Sequence, residues 1–146
     1  MIDKDIIFKE IELIQSCIER MAHNSFIVKG WALSIFAGVT AITKGENLSD
    51  IILLIFTTGI PFICFWILDT YFLQTERRFR NLYSERMVKR NSDDGTGLFE
   101  LDLKIVKAET FIKVMFSKTL FIFYGIPFIT SIIYLIFLIL RSKNVL

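Results

Sequence analysis

The sequence predicts an all-α membrane protein: three transmembrane helices, extended into a cytoplasmic helical bundle and assembled as a homo-oligomer. Three observations lead there. Residues 119–140 are 22 consecutive positions without a charge, and residues 51–68 are another 18. The 17 Lys and Arg and 15 Asp and Glu are gathered mostly between such stretches. Apolar residues beside the stretches recur at steps of three and four, the helical period. A chain of 146 residues that is 53% hydrophobic, with 15 Phe, is short enough for one domain and too apolar for an ordinary soluble one. A net charge of +2 gives no bulk basicity of the kind that binds duplex DNA.

The first element expected is a cytoplasmic amphipathic helix over 1–24. Ile7, Ile11, Ile14, Ile18 and Met21 form a coiled-coil seam that runs on through Val28, Ala32 and Ile35. The same helix therefore continues into a first span at 25–43. That span needs Phe26, Ile27 and Val28 to reach membrane length, with Lys29 extending its ammonium to the interface. An external loop at 44–50 closes a tight antiparallel hairpin with the second span, 51–68, bounded by Asp50 and Asp69. Residues 69–113 are expected as a cytoplasmic helical segment interrupted by the turn-like 91–97 (NSDDGTG), with Leu98, Leu101, Ile105, Ala108 and Ile112 again stepping by three and four. The third span is 114–140 and a tail follows at 141–146; about 20 apolar residues cover a hydrocarbon core of about 30 Å. Three such short helices bury little apolar area in a monomer, which favours oligomerisation.

Basic residues orient the chain. Nine lie in 69–113, three in 1–24 and one in the hairpin loop, which puts the N-terminus and the middle segment inside. Arg141 and Lys143 then sit on an outside tail against the trend, and a final segment that dips in and returns is the alternative. Five acidic residues among the first 20 and no apolar region before a small-residue site argue against a cleavable signal peptide. Cys17 in a reducing compartment and Cys64 inside a span are expected as small apolar side chains, not a disulfide.

Counted outward from the hairpin, Lys29 and Asp69 reach similar depth. They are either a pair that pins hairpin register, because a lone charge there costs several kcal/mol, or two independent interfacial charges. Both prolines fall in one repeated string, Gly59-Ile60-Pro61-Phe62-Ile63 and Gly125-Ile126-Pro127-Phe128-Ile129. Around them stand Thr57, Thr58, Tyr124, Thr130, Ser131 and Tyr134. One reading is a kinked, polar-lined ion path that gates through Thr57, Thr58, Pro61, Tyr124, Pro127, Thr130 and Ser131; the other is ordinary kinked helices with hydroxyls bonded to their own backbone.

Residues 76–90 (ERRFRNLYSERMVKR) hold the densest charge. Positive-inside topology and anionic headgroups account for them without a ligand. The sharper alternative is an anionic nucleotide or short single-stranded oligonucleotide held by Arg77, Arg78, Arg80 and Arg86, with a base on Tyr83 or Phe79. Catalysis is not expected: His23 is the single histidine, and no phosphate loop, nucleophile elbow or metal-ligand spacing occurs. No cofactor and no metal are expected.

Arg20-Met21-Ala22-His23-Asn24-Ser25-Phe26 with Lys29-Gly30-Trp31, and Pro61 with Phe65-Trp66-Ile67-Leu68-Asp69-Thr70-Tyr71-Phe72-Leu73 and Glu76-Arg77, give the pattern RMAxNSFxxKGW and FWxLDxYxLxxER. Over residues 18–83 the chain thereby resembles small bacterial multi-span membrane proteins of the Hailong-type anti-phage defence effectors. The resemblance implies a bacterial inner-membrane, multi-pass channel, held closed or opened by a nucleotide-derived ligand, that depolarises an infected cell in abortive infection. It also implies a cognate nucleotidyltransferase as partner, with a tetramer as one candidate assembly. The expectation from another class is a non-conducting membrane anchor or scaffold that recruits a cytoplasmic partner through its coiled-coil seam.

Overall fold

The computed structural model describes residues 3–42, 48–92, 94, 96–104, 106–129, 132, 133 and 136. The fold is all-α, with one apolar helix long enough to cross a membrane and further helices that form a bundle. Helix α1 (Lys4–Ile42) and helix α2 (Leu48–Asn91) have 39 and 44 residues, so each is about 60 Å long, twice the thickness of a hydrocarbon core. The membrane-length apolar stretch lies in α2, within Ile55–Asn91.

The two helices run antiparallel. Glu10 meets Arg90, Lys29 meets Asp69 and Phe36 meets Phe62, so positions later on α1 pair with earlier ones on α2. The expected seam is the face that does the packing: Ile14, Val28 and Ala32 are buried on it. It is spent within the chain, against α2. Helix α2 is unbroken through Pro61, and hydroxyls at Ser34, Thr70 and Thr75 donate to the carbonyl four residues back, at 2.9, 2.7 and 2.8 Å.

The remainder folds back along α2. Helix α3 (Phe111–Met115) ends at Phe116, and α4 (Lys118–Leu120) passes directly into a π turn, Phe121–Gly125, within the apolar stretch Lys118–Ile129. The Ile126 amide bonds the Phe121 carbonyl, five residues back. Pro127 follows with no amide to offer a regular helix. Gly125 is required here, because a Cβ would meet the Phe121 ring at 2.8 Å. The two Gly-Ile-Pro-Phe-Ile strings thus differ in backbone: one sits in a continuous α-helix, the other begins at the end of a π turn.

Aromatic packing joins the third segment to α2. Tyr124, fully buried, stacks on Trp66 at 6.0 Å and meets Phe62 edge-on at 5.2 Å. Trp66 also meets Phe116 edge-on and donates its indole N–H to the Met115 carbonyl at 3.1 Å. Ala32, Val114 and Leu120 complete this core.

Two sequence expectations are revised. Helix α2 begins at Leu48, inside the loop expected over 44–50; residues 43–47 lie outside the described residues. The helix expected through Leu98, Leu101, Ala108 and Ile112 is absent up to Phe111, and the described residues of 96–110 are turns and extended chain. Gly97 at φ +67° and Phe99 at φ +59° take the left-handed region, which no right-handed helix contains. The carbonyls of Thr96, Glu100, Lys107 and Glu109 meanwhile accept from side chains of α2. Thr130, Ser131, Tyr134 and the expected tail 141–146 lie outside the described residues.

Candidate functional site

Polar side chains meet at three levels along the bundle. At the end of the apolar region nearer the polar tip, Ser25 and Lys29 from α1 close on Asp69 of α2. The Lys29 ammonium donates to the Ser25 hydroxyl at 2.6 Å and pairs with Asp69 Oδ2 at 2.6 Å. The Ser25 hydroxyl donates onward to Asp69 Oδ1. Asp69 is 0% exposed, so its charge is tolerable only because both oxygens are engaged. The Tyr124 hydroxyl is buried and makes no hydrogen bond among the described residues.

Ser25 was not singled out from sequence, although a signal existed. The seam steps through 21, 25, 28 and 32, and Ser25 is its one polar occupant there. A polar residue at such a position commonly fixes register.

At the far tip, Glu10 and Arg90 form a bidentate pair, Nε to Oε2 at 2.7 Å and Nη2 to Oε1 at 2.8 Å, with side chains 1% and 3% exposed. Glu10 also accepts the Phe99 amide at 3.1 Å, which steadies the left-handed Phe99. Arg90 donates further to the Asp94 carbonyl, and Arg86 donates to the carbonyls of Thr96 and Glu100 at 3.1 and 2.9 Å. Burial pushes the Glu10 carboxyl up, but hydrogen bonds from Arg90 and Phe99 and the charges of Arg90 and Arg86 outweigh it and hold the group below its ordinary range. The signal for Glu10 was its place beside the seam, one residue before Ile11, where interhelical ion pairs form.

Between the two, α2 holds the extended segment by its polar side chains. Gln74 donates to the Glu109 carbonyl at 2.7 Å, Asn81 donates to the Lys107 carbonyl at 3.0 Å, and Arg77 pairs with the Glu109 carboxylate. Lys113 and then Arg77 hold the Glu109 carboxyl below its usual range. Neither Gln74, Asn81 nor Glu109 belongs to a pattern that sequence periodicity could reveal.

The arginines expected to bind a ligand are distributed by this scheme. Arg77 is paired with Glu109, and Arg80 with Glu76 one turn away at 2.7 Å, its side chain 61% exposed. Arg86 is buried and occupied by carbonyls, one wall of a cavity of about 130 Å³ whose other lining includes Glu85, Lys89, Glu100 and Asp102. Arg78 and Tyr83 are half-buried, and Arg78 Nε has no hydrogen-bond partner among the described residues. Of the residues expected to line or gate a path, Thr58 and Tyr124 are buried, Thr57 is exposed, and Pro61 and Pro127 are half-buried. Cys17 and Cys64 are free thiols. Among the described residues no group of three or more His, Cys, Asp or Glu is placed to hold a metal ion.

No protein-family model, curated protein or solved structure matches the chain.

Proposed function

We propose that this chain is an oligomeric effector of the bacterial inner membrane that forms an ion-conducting pore and depolarises the cell in anti-phage defence. The observation that carries the reading is a band of exposed apolar surface common to all three segments, sealed at its inner edge by the buried Ser25–Lys29–Asp69 knot. Phe26 is 75% and Trp31 61% exposed on α1, Phe56 63% and Ile60 58% on α2, and Ile122 52% on the third segment. Large side chains at that exposure on neighbouring elements need lipid or other subunits to cover them. The charged pairs lie at one end of this band. Spans at 25–43, 51–68 and 114–140, with the N-terminus cytoplasmic, fit both that segregation and the distribution of Lys and Arg.

The resemblance to Hailong-type effectors supports the same reading, and with it control by a nucleotide, an oligonucleotide or a partner protein. A ligand anion would exchange with Glu109 on Arg77 and with Glu76 on Arg80, pairs that water reaches, with Arg78 and Tyr83 beside them. Arg86 serves the fold in this reading. The anchor reading is less favoured, because the seam it would use to recruit a partner is packed against α2.

The test is membrane potential, read with a voltage-sensitive dye during expression, and ion flux from vesicles holding the purified chain. Rapid depolarisation and flux are expected. Intact potential at high expression together with tight vesicles would overturn the proposal. Binding of nucleotides and short single strands, compared with a variant carrying Arg77→Ala, Arg78→Ala and Arg80→Ala, tests the control site.

A further inference from the structure

The described residues of 96–110 form a strap. It leaves the tip at Gly97, turns at Asp102, whose carboxylate accepts the Lys104 amide at 2.8 Å, and delivers the chain to Thr110 at the start of α3. The strap has no secondary structure of its own, and α2 fastens it largely through side chains. Gln74, Arg77 and Asn81 stand along one side of α2 with Arg86 beyond them toward the tip, and the partners of the four descend in reverse order: Glu109, Glu109, Lys107 and Glu100. Among its described residues only Val106 is a buried apolar side chain; Leu98, Leu101 and Leu103 are half-buried, and Lys107, Ala108 and Thr110 are exposed. At one end the strap meets the Glu10–Arg90 pair through Phe99. At the other it runs into the helix whose Met115 carbonyl holds Trp66 and whose next turns place Tyr124.

We propose that this strap is the coupling element between the cytoplasmic tip and the third apolar segment, and that its detachment from α2 frees that segment to rearrange. The inference rests on the pore reading for its electrical readout. Elements held by exchangeable polar bonds with few buried apolar contacts open at lower free energy than the helices they lie on. Lys113 and Arg77 share one carboxylate at the junction, on Oε1 and Oε2, so loss of the Arg77 bond leaves Glu109 a partner on its own side of the break. Asn81 and Gln74 offer neutral bonds that water replaces without leaving a buried charge.

The test uses the full chain in vesicles, with Cys17→Ala and Cys64→Ala as background. Asn81→Cys and Lys107→Cys are added and bridged by a short bifunctional methanethiosulfonate, which dithiothreitol releases. Bridging is expected to lower ion flux by about tenfold, within the usual range of coupling between two sites, and release is expected to restore it; single-cysteine variants should not respond. Equal flux before and after release would make the strap a static brace and overturn the inference while leaving the pore reading intact. Tight vesicles in every form, the parent included, would remove the pore reading and the inference with it. A second variant, Gln74→Ala with Asn81→Ala, should raise flux and speed amide hydrogen exchange at 106–110 while exchange within α1 stays unchanged. A brace would instead lose folded protein and flux together.

Discussion

Replacing Arg90 by Met should be among the most destabilising single changes at the polar tip of the bundle, and replacing Glu10 as well should undo much of the damage. Arg90→Met strips both guanidinium bonds from a carboxylate that is 1% exposed, leaving the Phe99 amide as its remaining partner. Breaking a buried pair from one side costs about 3–5 kcal/mol, because a charge stays behind without compensation. Glu10→Met leaves Arg90 the Asp94 carbonyl but frees the Phe99 amide, and should cost about 2–3 kcal/mol. The double Met variant replaces the pair with apolar groups of similar length. It should lose only about 1–2 kcal/mol, chiefly from the orphaned loop groups, so the coupling in the cycle is about 3–7 kcal/mol. For a chain of this size 1 kcal/mol shifts Tm by about 2–4 °C. Arg90→Met should therefore lower Tm by about 6–20 °C, read by circular dichroism in mild detergent. Additive single effects, with the double variant the least stable of the three, would refute the reasoning.

Three further outcomes follow from the same geometry. Lys29→Asp and Asp69→Lys should each reduce folded yield in membranes, and their combination should recover it if the pair fixes hairpin register; no recovery removes that role. Gly97→Ala places a Cβ on the Arg86 guanidinium and 2.9 Å from the Glu100 carboxylate at φ +67°, which should cost about 1–3 kcal/mol in the same melts; an unchanged Tm would show that the loop repacks freely. Glu10 is held below its ordinary range despite burial, by Arg90 and Phe99; Asp94 is held low by the Thr96 amide and hydroxyl, and Glu109 by Lys113 and Arg77. Depressed carboxyls contribute stability above their unfolded-state values of about 4 and lose it as pH falls through the folded values. Tm should accordingly stay level from neutral pH to about 5 and drop below that. Glu10→Gln should shallow the drop, and a parallel curve would assign the acid sensitivity elsewhere.

The long hairpin was legible because its information is local and repeated. The seam from Ile7 to Ile35 reports one helical face at every turn, and the hairpin's symmetry then places Lys29 opposite Asp69 by counting alone. The uncharged stretches and the concentration of arginine after Asp69 likewise depend only on composition along the chain. The strap was not legible. Leu98, Leu101, Ala108 and Ile112 carry helical spacing, yet the helix starts at Phe111 and the described backbone before it is turns and irregular chain, where the Lys107 and Glu109 carbonyls accept from Asn81 and Gln74, 26 and 35 residues away. Periodicity cannot report a competitor so distant in sequence.

The arginines show the same division. Sequence determined that a basic cluster follows the second apolar stretch, as charge and topology require. Which guanidinium meets a carboxylate in water and which is consumed by carbonyls was decided when the strap lay down on α2. Even the two identical Gly-Ile-Pro-Phe-Ile strings obey this rule. Their composition fixed a missing amide in each, and the packing of Tyr124 against Trp66 and Phe62 accompanies the π turn in only one. Sequence set the apolar surfaces and the bonds the backbone could not make; tertiary contact chose the partners, because burial forces each polar group to find one and several were within reach.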